Sequence, residues 1–435
     1  MRIAIPTTGS RGDVQPYVAL GRGLRDAGHD VCLATHANFE PFVRKHGLDF
    51  FALEADGQSL QGSDTGDRML KSGSDPFTFL REFARLRRPL VAAMMRNCLD
   101  ACEGADVLLL TNTEFLVGHA VAEKLGLPTV WTALQPVAPS RHQVNSLFPP
   151  VPSWLPGGGL YNLSTHLITS EMLWQLTRTA INDARREVLG LRPIWFLGPM
   201  LTYFFPPLCL DGYSTHVVPR PPDWGSHRHV TGYWFLEGDR NWRPPAALRE
   251  FLDAGPPPVY VGFGSMHNRD AERVTELVVE ALALAGQRGV LYTGWNGLRA
   301  VAGDRVFALE ADTPHDWLFP RMAAVVHHGG AGTTAAALRA GVPAVVVPYM
   351  SDQPFWARRV HELGAGPRPV PRERLSAPRL ADAIRRAATD PKHRERAVAL
   401  GRALRAEDGV GRAVELFEEH LRTLRIAPAA MRRAA

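Results

Sequence analysis

Cysteine is scarce, with 4 in 435 residues, and Cys32, Cys98, Cys102 and Cys209 contain no CxxC pair. That density excludes a disulfide-stapled scaffold and fits a reducing compartment. Cys98 and Cys102, one helical turn apart, read as packing residues rather than metal ligands. No apolar run reaches the roughly 20 residues needed to span a bilayer. Met1-Arg2 leads straight into a strand without signal-peptide architecture, so a cytoplasmic protein is expected. The formal charge of +5 comes from arginines spread along the chain, not from a tract. Without a basic stripe, interleaved aromatics or zinc-finger spacing, nucleic acid is not an expected partner. Attraction to an anionic membrane surface is left open. No DxD occurs, so no metal-bridged diphosphate is signalled.

The remainder is ordinary globular composition, 45% apolar and 21% charged over a length that suggests two or three domains. The first third alternates strand and helix: strands over 2–6, 30–35 and 48–53, with helices over 16–27 and 38–46 closed by Gly28 and Gly47. Residues 54–75, rich in Gly, Ser and Asp, read as a mobile loop. A long amphipathic helix over 77–102 contains Pro89, which predicts a kink or break. Strands at 106–111 and 128–133 flank a helix over 115–125. The stretch 135–161 is rich in Pro, Gly, Trp and Phe, and either walls a greasy ligand or packs on its own domain. A helix over 160–189 follows, then short strands to about 233. Trp242-Arg243-Pro244-Pro245 and Gly255-Pro256-Pro257-Pro258 punctuate a boundary between two halves. The second half restarts as strand, glycine turn and helix, and the tail after Pro428 reads as disordered.

The chemistry gathers at a strand-turn-helix stretch, Val325-Val326-His327-His328-Gly329-Gly330-Ala331-Gly332-Thr333-Thr334. Glycines let a backbone approach closely, and the free N–H groups of a helix's first turn favour an anion. A diphosphate fits, and so does a plain glycine-rich helix entry. The next strand, 342–348, ends in Tyr349-Met350-Ser351-Asp352-Gln353-Pro354-Phe355-Trp356. Parallel sheets bind ligands at the carboxyl ends of their strands, so phosphate donors and hydroxyl partners would share one crevice, as a nucleotide sugar requires. The N-terminal Gly9-Ser10-Arg11-Gly12-Asp13 lacks GxGxxG spacing. Strand two ends in Thr35-His36 where a ribose-binding acid would sit, so an NAD-dependent reading is disfavoured.

Together with Gly9 to Tyr17, these motifs resemble the nucleotide-sugar glycosyltransferases of the GT-B type. The likeness is nearest to the sterol 3-β-glucosyltransferase branch and the bacterial natural-product glycosyltransferases beside it. The resemblance spans nearly the whole chain and implies an α/β fold of two Rossmann-like domains facing each other across a cleft. An acceptor domain over 1–236, a linker over 237–258 and a nucleotide-sugar domain over 259–410 are implied, with a C-terminal helix over 411–435 returning to the first domain. It places Asp13 as general base toward the acceptor hydroxyl; the alternative is an Asp capping the following helix. It assigns the donor to Ser10, Ser265, Thr313, His315, His327, His328, Gly329, Gly330, Gly332, Thr333, Asp352 and Gln353. His327 is placed first, with a charge-assisted contact, and His328 second. Asp352 and Gln353 would bind sugar hydroxyls or, alternatively, start a helix, and Trp295 lies near the nucleobase segment or in the core.

The resemblance further implies an inverting, metal-independent O-glycosyltransferase without a cofactor, using a UDP- or dTDP-sugar, glucose first, as co-substrate. The acceptor would be a hydrophobic alcohol such as a sterol or macrolide. Tyr349-Met350-Ser351 departs from the Phe-Phe-Gly usual in the sterol branch. A nucleotide-sugar 2-epimerase and a noncatalytic partner protein share this architecture and stand as alternatives. The sequence assigns no oligomeric state.

Overall fold

A computed structural model describes residues 1–53, 68–69, 72–73, 75–152, 154, 156–199, 207–238, 242–264, 271–294, 298–299, 303–310 and 313–424. Ser265, Trp295, most of the stretch 54–75 and the tail from 425 lie outside the described residues.

The chain forms two compact units. The first holds a seven-stranded parallel sheet of β1 (Arg2–Pro6), β2 (Asp30–His36), β3 (Asp49–Leu53), β4 (Val107–Thr111), β5 (Thr129–Ala133), β6 (Cys209–Asp211) and β7 (Arg228–Val230). Their spatial order is β3-β2-β1-β4-β5-β6-β7, every pairing parallel. β4 is buried at all five positions, which is the continuous apolar run that a sheet covered on both faces demands. The helix Gly409–Leu424 belongs to this unit. Its Ala413, Leu416 and Phe417 pack into one core with Ile3, Val14, Val18 and Leu24, and its Glu418 takes a hydrogen bond from His29.

The second unit holds a five-stranded parallel sheet of β8 (Val259–Gly262), β9 (Gly289–Tyr292), β10 (Val306–Leu309), β11 (Ala324–His327) and β12 (Ala344–Val346), in the order β10-β9-β8-β11-β12. The stretch read as a linker carries the helix Ala246–Asp253, with Leu248 fully buried, and belongs to this unit.

One helix differs from the sequence reading. Pro16 suggests a helix start, yet the helix runs Arg11–Asp26 with Pro16 inside it. The proline removes only one intrahelical bond, to the carbonyl of Gly12, close to the end where orphan groups already occur. The stretch over 77–102 breaks at Pro89 as expected, into Pro76–Arg87 and Val91–Ala101 joined by a 3-10 turn.

In each sheet the direction of strand addition reverses once, between β1 and β4 and between β8 and β11. At such a point the loops leave in opposite directions and open a crevice above the carboxyl ends of the strands. Both glycine-bearing stretches singled out in the sequence lie there.

Candidate active site

In the first unit, β1 ends in a turn through Gly9, whose φ of +131° suits glycine alone. A Cβ on Gly9 would lie 2.4 Å from Asp13 Oδ2, so the turn folds directly against that carboxylate. Asp13 occupies the third position of the helix, and its Oδ2 accepts the Ser10 backbone N–H at 2.8 Å and the Ser10 hydroxyl at 3.0 Å. This is the returning arm of a capping box. Ser10, not Asp13, is the N-cap. Asp13 Oδ1 has no hydrogen-bond partner among the described residues. Burial raises the Asp13 carboxyl above the usual 3.8, against the pull of the two Ser10 hydrogen bonds. A half-buried carboxylate with one fixed and one unengaged oxygen can accept a proton.

Residues that the sequence did not single out complete this end of the sheet. His36, at the end of β2, accepts the Gly9 N–H through Nε2 at 3.1 Å and so holds the turn. After β4, the buried carboxylate of Glu114 is gripped by Arg87 with both oxygens at 2.9 Å. The Thr8 hydroxyl also donates to Glu114, and Thr113 Oγ1 accepts the Thr8 N–H at 3.4 Å. The rule that ligands bind where strand order reverses points to residues 112–114 once β1 and β4 are known to be neighbours.

In the second unit, β11 feeds the helix Ala331–Ala340, whose N-cap is Gly330. Thr334 N–H closes the first helical bond on the Gly330 carbonyl at 2.9 Å. The amides of Ala331, Gly332 and Thr333 are therefore the helix's orphan donors, and Gly332 is exposed. Gly329, with φ of +94°, leaves no room for a side chain, because a Cβ would meet Val346 at 2.7 Å and the Gln353 carbonyl at 3.1 Å.

The two histidines differ in burial and in what they touch. His327 is fully buried, and its Nδ1 accepts the Gly329 N–H at 3.0 Å. Burial, reinforced by His328 and His315, holds its imidazole down to about 3. The ring is neutral, so its proton sits on Nε2, and that buried N–H finds no acceptor among the described residues. His328 is half-buried and lies between both glycine turns: a Cβ on Gly330 would be 2.5 Å from its Nε2, and one on Gly264 2.7 Å from its Cε1. Burial holds it to about 4. Neither ring carries charge at neutral pH in the free protein, so in a contact of either with a diphosphate the charge would come from the phosphate oxygen. His328 is the imidazole beside the open helix terminus.

β12 leads to Ser351, whose φ of +59° is unusual for a residue with a side chain. Such backbone costs of order 1 kcal/mol or more and gathers at ligand sites. Asp352 is the N-cap of the helix Gln353–Glu362, and its Oδ2 accepts the indole N–H of buried Trp356 at 2.7 Å. Gln353 is buried, with Oε1 accepting the amides of Tyr349 at 2.8 Å and Met350 at 3.2 Å. That oxygen braces the turn. His315 starts a short helix and stacks on Phe319 at 4.2 Å, near Tyr260, with Thr313 two residues before it. The second unit thus brings His315, His327, His328, the three glycines, Thr333, Asp352 and Gln353 to the strand ends of β8, β11 and β12.

The apolar stretch over 135–161 is hooked to its own unit. Ser140 donates to Asp223 at 2.8 Å, Trp224 Nε1 to the Pro139 carbonyl at 3.0 Å, and both ring nitrogens of buried His166 meet carbonyls, of Val137 at 3.1 Å and Gln143 at 2.9 Å.

Comparison with known proteins follows the same division. The Glycosyltransferase family 28 N-terminal domain matches residues 3–141, and the Erythromycin biosynthesis protein CIII-like, C-terminal domain, matches residues 305–409. The chain is 40% identical to Sterol 3-beta-glucosyltransferase UGT80A2 of Arabidopsis thaliana, over 97% of this chain and 66% of that protein. It is 39% identical to Sterol 3-beta-glucosyltransferase UGT80B1 of the same plant, over 97% of this chain and 68% of that one. It therefore spans about two thirds of the length of these relatives. Among solved structures, the glycotransferase of kitacinnamycin superposes with a TM-score of 0.66 at 22% identity, covering 96% of this chain and 98% of that one. The Streptomyces sp. SF2575 glycosyltransferase SsfS6, complexed with thymidine diphosphate, superposes with a TM-score of 0.61 at 22% identity, covering 96% and 99%. At that identity the two structures establish the GT-B fold.

Proposed function

The chain belongs to the glycosyltransferases, and we propose that it moves a hexose, glucose first, from a UDP- or dTDP-sugar to a hydroxyl of a hydrophobic acceptor. The transfer inverts the anomeric centre and needs no metal. One observation carries the reading: the helix terminus at Ala331, Gly332 and Thr333, unsatisfied among the described residues and walled by His328 at the reversal point of its sheet. Such a terminus suits a diphosphate, and SsfS6 was solved with thymidine diphosphate.

In this mechanism the second unit holds the donor. The acceptor, held by the first unit, presents its hydroxyl to Asp13 Oδ1. Oxygen attacks the anomeric carbon as Asp13 takes its proton, and the bond to the diphosphate breaks in the same step. An alcohol is too weak an acid to ionise first, so proton transfer and attack are concerted. Charge growing on the leaving oxygen is met by amide and imidazole N–H donors fixed in advance, which require no reorganisation. The sterol glucosyltransferase relatives support a sterol as first acceptor. A lipophilic alcohol of that kind resides in membranes, which brings a peripheral membrane contact into the same proposal.

The test is a panel of UDP-glucose, UDP-GlcNAc and dTDP-sugars against sterol, macrolide and polyphenol alcohols, read by mass. A sterol that gains one hexose from UDP-glucose is the expected result. Conversion of the nucleotide sugar with no acceptor present would instead mark a 2-epimerase, and no conversion under any pairing a noncatalytic partner.

A further inference from the structure

Several large apolar side chains of the first unit stand in solvent. On the helix Gly158–Ala184, Leu160, Leu167 and Ile168 are exposed. Spacings of seven and eight residues set them on one stripe. Gln175 and Arg178, eight and eleven residues beyond Leu167, continue that stripe, and both hold the loop that follows the helix. Gln175 Nε2 and Trp174 Nε1 each donate to the Phe196 carbonyl at 2.8 Å, and the Arg178 guanidinium lies 5.3 Å from the centre of the Phe196 ring. Fastened in this way, the loop presents Trp195, 81% exposed, with Phe196 and Leu197 about half exposed. Consecutive large apolar residues held outward on a built loop mark an interaction surface rather than stray exposure.

Charge around the loop indicates what it meets. Exposed Arg88 is fixed by donating to the Leu176 carbonyl at 2.6 Å, and Arg178 and exposed Arg192 lie on the helix and the loop beside it. None of the three has a carboxylate partner among the described residues. The one acid on the stripe, Glu171, accepts from Gln175 at 2.6 Å. Tryptophan and phenylalanine at a tip bordered by arginines combine the two attractions of an interfacial anchor, apolar burial at the headgroup level and pull toward anionic lipid.

We propose that Trp195-Phe196-Leu197 inserts into the interface of an anionic bilayer, with Arg88, Arg178 and Arg192 on its headgroups and the Leu160, Leu167, Ile168 stripe lying along the surface. The inference builds on the lipophilic acceptor proposed above, since a protein seated on a bilayer meets such an alcohol where it dissolves.

Sedimentation of the full chain with phosphatidylcholine vesicles, with and without phosphatidylglycerol, tests it. The wild type is expected to bind the anionic vesicles and to lose them in high salt. W195S/F196S/L197S should weaken binding about tenfold or more, and R88Q/R178Q about fivefold per arginine. Absence of wild-type binding, or unchanged binding by the triple variant, overturns the proposal. So does light scattering that shows a dimer which the triple variant abolishes, because the tip would then be a contact between copies. Transfer to a detergent-dispersed sterol, measured on the same samples, separates the two readings. Retained transfer without vesicle binding overturns only the anchor, whereas tip-dependent vesicle binding without transfer supports the anchor and overturns the function.

Discussion

Asp13→Asn is expected to lower kcat by about 10²- to 10⁴-fold, the usual contribution of a positioned general base, while leaving nucleotide-sugar affinity unchanged. The variant isolates chemistry from folding. Asparagine still presents a side-chain oxygen to the Ser10 N–H that Asp13 Oδ2 now accepts at 2.8 Å, so the capping box and the helix start survive. What disappears is the ability to take a proton. Turnover retained within a few-fold would restrict Asp13 to capping.

The pH profile carries the same claim. Burial raises the Asp13 carboxyl above 3.8, and the base works as the carboxylate, so kcat/KM falls as pH drops through that raised value. The asparagine variant has no such limb. Acid unfolding must be separated from it. The folded values of His327 and His328, about 3 and about 4, lie below the ordinary 6.5. As pH falls from 6.5 the unfolded chain therefore binds protons first, and the stability these rings contribute above 6.5 is lost progressively toward about 4 for His328 and about 3 for His327.

The second large effect is expected on donor binding. His328→Ala should weaken UDP by about 10- to 100-fold in calorimetry, the range for losing a hydrogen bond to a charged group, with the fold intact because the ring is half-buried. His327→Ala acts differently. It opens a cavity at a fully buried site and frees the Gly329 N–H from its 3.0 Å acceptor, so thermal stability falls together with affinity. If His328→Ala left UDP affinity unchanged while His327→Ala removed it in a protein of undiminished stability, the roles implied by resemblance would be restored.

The α/β class and the strand-turn-helix stretch were legible because strands at 2–6, 30–35 and 324–327 are short apolar runs bounded by glycine and charge. Which of the two histidines lies between the glycine turns was not. β11 is buried at every position, so alternation along it does not distinguish the two rings, and only the packing of Gly264 and Gly330 around His328 does. Pro16 misled because its ring reads as a helix start, whereas the capping pair Ser10 and Asp13 marks the true one. The grip of Arg87 on Glu114 joins residues 27 apart in sequence, and nothing local signals it until β4 is seen beside β1. The resemblance assigned Gln353 to the donor, but its place as the brace of its own turn was not legible, because that depends on the backbone reversing at Ser351.

The central claim is a single displacement driven by an acid side chain on the acceptor and uncharged donors on the diphosphate. Its most direct test is the anomeric configuration of the glycoside formed from an α-linked UDP-glucose in the presence of a chelator, read by proton NMR. A β-glycoside at an undiminished rate is the predicted result. An α-glycoside, or a rate that returns only when a divalent cation is restored, would contradict it.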